Sequence, residues 1–190
     1  MRVTQCALMC LIPLTFATPA AAEDPYPFQR SDGKWGYVDD DHCWVIEPQF
    51  VAAWPFSEGL AAVVIGGKMG YIDPSGAVVI NPQFDGGYSF SEGLAAVGIG
   101  GKYGFIDKSG TVVINPQFDL SSSFSEGLAA EEIGGKWGYI DKSGTVVINT
   151  QFETVETFSE GHAEVRIGDR WFIIDRSGRI LLDPTCDHTH

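Results

Sequence analysis

A phrase of four residues recurs along the chain at a constant interval of 34 residues. It reads Lys-Trp-Gly-Tyr in its clearest copies, and the five copies begin at Lys34, Lys68, Lys102, Lys136 and Arg170. No insertion or deletion interrupts the interval, so the chain is an array of copies of one unit. A unit of this length cannot bury its apolar side chains alone, and such arrays become stable because neighbouring units pack against each other.

Within one unit, apolar residues recur with the period of β-strands. We expect strand A at Trp137–Ile140, strand B at Val146–Asn149 and strand C at Leu60–Ile65, with equivalents in the other units. A Gly-Gly pair joins strand C to strand A, which is typical of a two-residue hairpin. An Asp-x-Ser-Gly segment joins strand A to strand B as a second turn. No segment has a helical period, and the sequence therefore predicts an all-β protein built from three-stranded meanders.

Comparison of the copies with one another predicts which face of strand C is buried. In the Ala-x-Val-x-Ile series, the first and last positions do not vary, whereas the position before the last Ile holds Val, Gly, Glu or Arg. Successive side chains of a strand point to opposite faces of the sheet. We therefore expect Ala95, Val97 and Ile99 to be buried and Gly98 to face solvent.

The repeated phrases also resemble those of a known family. Trp-Gly followed by Tyr-Ile-Asp, then by a Ser-Gly turn and later by Phe-Ser-Glu-Gly-Leu-Ala, is similar to the WG-repeat proteins over about residues 26–184. The resemblance implies a β-rich binding array and no particular reaction. The sequence departs from the family pattern in the last copy, where Phe172 replaces Gly. It also departs in the first copy, where Asp39-Asp40-Asp41-His42 replaces the turn.

The repeats define one domain over residues 23–184, followed by a C-terminal tail at 185–190. We favour an open, solenoid-like array, and the alternative is a closed, five-bladed, propeller-like ring. An open array places Cys43 and Cys186 on the order of 40 Å apart, whereas a disulfide requires Cα atoms within about 7 Å. The open array therefore predicts that these cysteines do not pair within one molecule, and the closed ring would allow the bridge.

The N-terminus has the layout of a secretory signal. Arg2 is followed by an apolar run from Cys6 to Phe16 and then by the small residues Ala20-Ala21-Ala22. This apolar run is too short to span a bilayer. We expect residues 1–22 to be a signal peptide, and the mature chain to be periplasmic or extracellular without a membrane span.

The chain is acidic, with a formal net charge of −13. A surface of this charge repels the phosphates of nucleic acids, so nucleic acid is not an expected partner. The sequence has no phosphate-binding glycine loop and no nucleophile motif. We therefore assign no catalytic residue, no metal ligand and no cofactor, and we expect a protein or glycan ligand.

Carboxylates recur at two positions of the unit. One is the turn aspartate (Asp39, Asp73, Asp107, Asp141, Asp175) and the other is the glutamate of Phe-Ser-Glu-Gly (Glu58, Glu92, Glu126, Glu160). Acid–base catalysis needs a unique set of groups in differing environments, whereas these groups are copied in four or five units. We expect each Asp to stabilise its turn and each Glu to organise its corner.

Residues that depart from the repeat are better candidates for function. Glu131 stands where other copies have Val, and His162 stands where they have Leu. The candidate interaction surface consists of Trp44, Trp54, Glu131, Glu132, His162, Glu164 and Arg166. We expect it to serve a non-enzymatic binding or scaffold protein. The alternative is a metal-dependent or hydrolytic enzyme with its site around His162, Glu131 and Glu164, which would require these three side chains to converge in one cleft.

Overall fold

The computed structural model describes residues 24–182, which form 19 β-strands in five antiparallel sheets. The predicted all-β array of 34-residue repeats is confirmed. The predicted signal peptide, the C-terminal tail and Cys186 lie outside the described residues. None of residues 24–182 belongs to a helix able to cross a membrane.

The first sheet has three strands and the other four sheets have four each. The first contains β1 (Tyr26–Gln29), β2 (Trp35–Val38) and β3 (Trp44–Phe50). The second contains β4 (Ala52–Ala53), β5 (Ala61–Ile65), β6 (Lys68–Ile72) and β7 (Val78–Phe84). The third contains β8 (Gly86–Gly87), β9 (Leu94–Ile99), β10 (Lys102–Asp107) and β11 (Val112–Phe118). The fourth contains β12 (Leu120–Ser121), β13 (Leu128–Ile133), β14 (Lys136–Asp141) and β15 (Val146–Phe152). The fifth contains β16 (Thr154–Val155), β17 (His162–Ile167), β18 (Arg170–Asp175) and β19 (Ile180–Leu182).

Each four-stranded sheet begins with a short edge strand that the three-strand prediction did not include. The three longer strands of each sheet correspond to the predicted strands C, A and B. The chain leaves one sheet through its long edge strand and enters the next through the short one, so that β7 ends at Phe84 and β8 begins at Gly86. A two-residue strand shows too little alternation to be recognised in a sequence.

The glycine of the Trp-Gly phrase lies where strand A meets a bulge in the neighbouring strand. Tyr103 of β10 pairs with Phe118 of β11, but Phe105 pairs with Ile114, so the register shifts around Gly104. A Cβ atom on Gly104 would lie 2.5 Å from the carbonyl oxygen of Ile114. Only glycine permits such a close approach of two backbones at a bulge, and this explains the glycine of the repeat.

The Asp-x-Ser-Gly turns fold as their local chemistry predicts. The Oδ1 atom of Asp107 accepts the Ser109 hydroxyl at 2.6 Å and the N–H groups of Ser109 and Thr111 at 2.9 and 3.0 Å. These hydrogen bonds lower the pKa of Asp107, and the bond from the Ser109 hydroxyl has the largest effect. Gly110 takes a φ of 84°, a conformation that glycine adopts without steric cost. The repeated aspartate is therefore a turn residue.

Four apolar clusters join the sheets in sequence, the first to the second and so on to the fifth. Each cluster contains the aromatic residue that follows Gly in the repeat phrase: Tyr37, Tyr71, Phe105 and Tyr139. A closed ring would need a fifth interface between the last and first sheets. Among residues 24–182 the clusters join only successive sheets, so the sheets form an open array.

The predicted face assignment of strand C is correct for Ala95 and Val97, which are buried, and wrong for Gly98, which is also buried, and for Ile99, which is exposed. In β9, residues Leu94, Ala95, Ala96 and Val97 are all buried, because neighbouring sheets cover both faces. Ile99 is 39% exposed, since it lies at the end of the strand beside the Gly-Gly hairpin. Alternation identifies the buried face of a sheet only when the other face meets water, and a sheet packed on both sides loses that signal.

Candidate binding site

The Phe-Ser-Glu-Gly corners link each sheet to the next. The Ser57 hydroxyl donates to the carbonyl oxygen of Phe90 at 2.7 Å. The Glu58 carboxylate accepts the Gly93 N–H at 3.0 Å and contacts the Lys108 ammonium at 3.0 Å. Partial burial opposes ionisation of Glu58, but Lys108 and the backbone N–H outweigh it, and the pKa of Glu58 is lowered. This glutamate organises the corner, as the sequence predicts.

The series of corner contacts ends at the fifth sheet. Ser159 and Glu160 occupy the equivalent corner, and no further sheet follows within residues 24–182. A groove of about 380 Å³ opens here, and it is lined by Glu156, Thr157, Ser159, His162, Ala163, Glu164 and Ile173. The groove therefore lies on the face of the fifth sheet that corresponds to the face with which each inner sheet contacts the next sheet.

Polar residues replace apolar ones on this outward face. His162 and Glu164 are exposed, whereas the equivalent Leu94 and Ala96 of the third sheet are buried in the cluster shared with the fourth sheet. A polar outer face is typical of terminal units in repeat arrays, because it keeps the end of the array soluble. The groove results from these two substitutions and from the lack of a following sheet in the part of the chain that the structure describes.

Aromatic and aliphatic groups border the polar groups of the groove. In the pairing of β17 with β18, Ile173 lies opposite Glu164 and Trp171 lies opposite Arg166. Directly opposite residues of an antiparallel pair share a face. Trp171 is 38% exposed. The outward face therefore combines a carboxylate, an imidazole and a guanidinium with two apolar surfaces.

The structure separates the predicted interaction residues. His162 and Glu164 line the groove, and Arg166 lies on the same strand. Glu131 and Glu132 belong to the fourth sheet, and Glu131 is fully buried there. These residues therefore do not form one continuous exposed surface, because Glu131 lies inward at the position where the other units have Val. The use of the exposed residues as an interaction surface stays a prediction.

The two tryptophans of the first unit lie elsewhere. The Trp44 ring packs edge-to-face on Phe28 with 5.9 Å between centroids, and a Cβ atom on Gly36 would lie 2.9 Å from it. Trp44 therefore covers the first sheet as an end cap. Trp54 is 39% exposed and its carbonyl oxygen accepts the Tyr37 hydroxyl at 2.8 Å. Neither tryptophan lines the groove.

The residues of the enzymatic alternative do not share a cleft. His162 and Glu164 line the outward groove of the fifth sheet, and Glu131 is not among the lining residues. Within the described part of the chain, no group of three or more His, Cys, Asp or Glu side chains is placed to hold a metal ion. The convergence that this alternative requires is therefore absent from residues 24–182.

Five lining residues were not predicted from the sequence as part of the site: Glu156, Thr157, Ser159, Ala163 and Ile173. A signal existed for Glu156, because the equivalent position holds Trp54, Tyr88 and Ser122 in the other units. No signal existed for Ser159, which is identical in all four corners. Ser159 is exposed because no sheet packs against its corner within residues 24–182.

Comparison with solved structures finds the same kind of fold. A chain described as the crystal structure of the eukaryotic initiation factor matches with a TM-score of 0.53 at 12% identity, over 82% of this chain and 50% of that one. The present chain thus spans half the length of that protein. A plant lectin with two metal binding sites from Cicer arietinum matches at a TM-score of 0.31 and 13% identity, over 67% of this chain and 87% of that one. Only the first of these TM-scores exceeds 0.5, so only the first likeness supports an argument. At 12% identity that argument concerns the fold alone.

Comparison at the level of sequence identifies the family. A search of curated proteins finds no match. The family profile described as "WG containing repeat" matches four times, over residues 35–68, 69–103, 103–137 and 137–171. These matches cover most of the chain and follow the repeat seen in the five sheets. The chain belongs to the WG containing repeat family.

Proposed function

We propose that the chain is an exported, non-enzymatic binding or scaffold protein that holds a protein or glycan ligand in the groove of its last sheet. One observation carries the proposal. The groove opens where the array ends, and His162 and Glu164, which line it, depart from the residues that the inner sheets use to pack on each other. Within residues 24–182, the inner faces of the array are occupied by neighbouring sheets, whereas no sheet covers this face.

The composition of the groove supports ligands of two chemistries. The carboxylates of Glu156 and Glu164, in a chain of net charge −13, favour a protein ligand that presents Lys or Arg. The carboxylates and hydroxyls of the groove also suit the hydroxyls of a sugar. Trp171, which does not line the groove but is partly exposed on the same face, could stack on the apolar face of such a sugar. Export would place the chain where such ligands occur.

The proposal is tested with the mature chain, residues 23–190, immobilised and exposed to a glycan panel and to a panel of Lys/Arg-rich and matched neutral peptides. The test variant carries His162→Leu and Glu164→Ala, which restore the residues of the inner units. The control variant carries Glu47→Ala, which removes an exposed carboxylate from the first sheet. We expect the test variant to lose affinity by about tenfold or more, equivalent to about 1.4 kcal/mol, and the control to bind normally.

Two results would contradict the proposal. One is that no member of either panel binds the unmodified chain. The other is that the double variant, folded by circular dichroism, binds as tightly as the unmodified chain. Binding to glycans alone or to basic peptides alone would identify which of the two ligand classes is correct.

A further inference from the structure

Glu131 of β13 is a fully buried carboxyl group without a hydrogen-bonding partner. Its exposed fraction is 0%, and neither Oε1 nor Oε2 has a hydrogen-bond partner within the described residues. In the sheet, Glu131 lies between Ser121 of β12 and Gly138 of β14. Ser121 is also buried, but its hydroxyl is directed to the backbone carbonyls of Ser122 and Ala130. A buried carboxyl in this situation is costly if it is charged.

The position of Glu131 in the repeat shows which interface it occupies. The equivalent residues Val63, Val97 and Val165 each belong to the apolar cluster shared with the preceding sheet. Ala129, two residues before Glu131 and on the same face of the strand, belongs to the cluster between the third and fourth sheets. Glu131 therefore projects into the joint between the third and fourth sheets, where the other joints have a valine.

No cation compensates Glu131 from the strands packed around it. Lys102 of β10 pairs with Asp119, and Lys136 of β14 pairs with Glu153; both ion pairs are exposed. Strands β9, β11, β12 and β15 contribute no other titratable side chain. Tyr103 is the titratable residue of β10 that packs against the cluster of this joint.

The remaining titratable groups of β10, β13 and β14 bind or face elsewhere. Asp107 and Asp141, at the ends of β10 and β14, bind the serines of their own turns. Tyr139 of β14 belongs to the cluster on the opposite side of the sheet and donates to the Glu156 carbonyl at 2.6 Å. Glu132, the next residue of β13, projects to the opposite face from Glu131 and is partly exposed.

We propose that the joint between the third and fourth sheets is a pH-responsive element, packed when the Glu131 carboxyl is protonated and loosened when it ionises. The joint divides the array into sheets one to three and sheets four and five. The proposal is independent of the ligand groove, since Glu131 does not line it.

The direction of the pH dependence follows from burial. Desolvation raises the pKa of Glu131 from 4.5 to about 7 in the folded chain. The folded state then binds a proton that the unfolded state releases above pH 4.5. This contribution to stability is fully present below about pH 4.5 and is lost as the pH rises through about 7. The exposed aspartates with lowered pKa values act in the opposite sense, so the Glu131 contribution must be isolated by substitution.

Two substitutions at this site and one beside it isolate the effect. Glu131→Gln keeps the shape and stays neutral, and Glu131→Val restores the residue of the other units. Glu132→Val is the control, because the same position holds Val64 in the second unit. The measurements are the thermal midpoint and amide hydrogen exchange by mass spectrometry, each from pH 5 to pH 8 on the mature chain.

We expect the midpoints of Glu131→Gln and Glu131→Val to exceed that of the unmodified chain at pH 8, and the differences to shrink at pH 5. Exchange of amides in β13 and β14, corrected for the intrinsic rate, should rise by about tenfold or more between pH 5 and pH 8 in the unmodified chain. It should not rise in either Glu131 variant, and Glu132→Val should behave as the unmodified chain. Identical pH profiles for the unmodified chain and Glu131→Gln would overturn the proposal.

Discussion

At the scale of single residues, the glycine of the Trp-Gly phrase is required by a contact that the sequence does not reveal. The Gly104 position faces the backbone of β11 at a distance that leaves no room for a methyl group. Gly98, six residues earlier and also buried, is different: a Cβ atom there would lie 3.6 Å from the nearest atom, the Gly86 nitrogen, which is an ordinary contact. Gly98 can therefore serve as the control for a substitution at Gly104, because both are buried glycines of the same sheet.

We predict that Gly104→Ala destabilises the chain by about 1–3 kcal/mol, because the backbone of β11 must move away. Gly98→Ala should change the stability by less than about 0.5 kcal/mol, since no neighbour has to move. The measurement is the urea midpoint of both variants with an unchanged slope. Equal midpoints would show that the bulge tolerates a side chain and that the glycine is conserved within the repeats for another reason.

At the scale of the element, the corners bind one sheet to the next through a hydrogen bond that is repeated three times. The Ser57, Ser91 and Ser125 hydroxyls donate to the carbonyl oxygens of the following corners at 2.7 Å. The fourth serine, Ser159, belongs to the last sheet, which no sheet follows within residues 24–182. Ser159 can therefore serve as the control when the energy of this hydrogen bond is measured at one of the other three serines.

We predict that Ser91→Ala lowers the free energy of unfolding by about 1 kcal/mol or more, because the carbonyl oxygen of Phe124 loses its donor in a partly buried site. Ser159→Ala should leave the unfolding free energy within about 0.5 kcal/mol of the unmodified value. Chemical denaturation of the two variants makes the comparison. A similar loss for both would mean that the serine stabilises its own corner and does not link the sheets.

At the scale of the whole molecule, export is the prediction that remains to be tested on the full chain. The order of a basic residue, an apolar run and Ala20-Ala21-Ala22 predicts cleavage after Ala22. Mass spectrometry of the protein recovered from the periplasm or medium should give a mass that begins at Glu23. Recovery of a folded product that retains Met1 would show that the N-terminal segment is not a cleaved signal.

Features that depend on short-range interactions could be predicted from the sequence. The three longer strands of each sheet were predictable from their apolar period. The turns were predictable because Asp107 and its equivalents bond to residues two and four positions away and Gly110 supplies the φ that the turn needs. The constant 34-residue interval also predicted stacked units, because one unit cannot close a core alone.

The contacts of each surface depend on the packing of one sheet on the next. Ile99 is predicted to be buried and is 39% exposed. Glu131 stands at an inward position and is fully buried, but it has no hydrogen-bond partner within the described residues. Identical serines are linking residues in three corners and a groove residue in the fourth. The physical reason is that burial in a stacked array depends on the neighbouring sheet, which lies a whole repeat away along the chain, and its presence or absence cannot be read from local alternation.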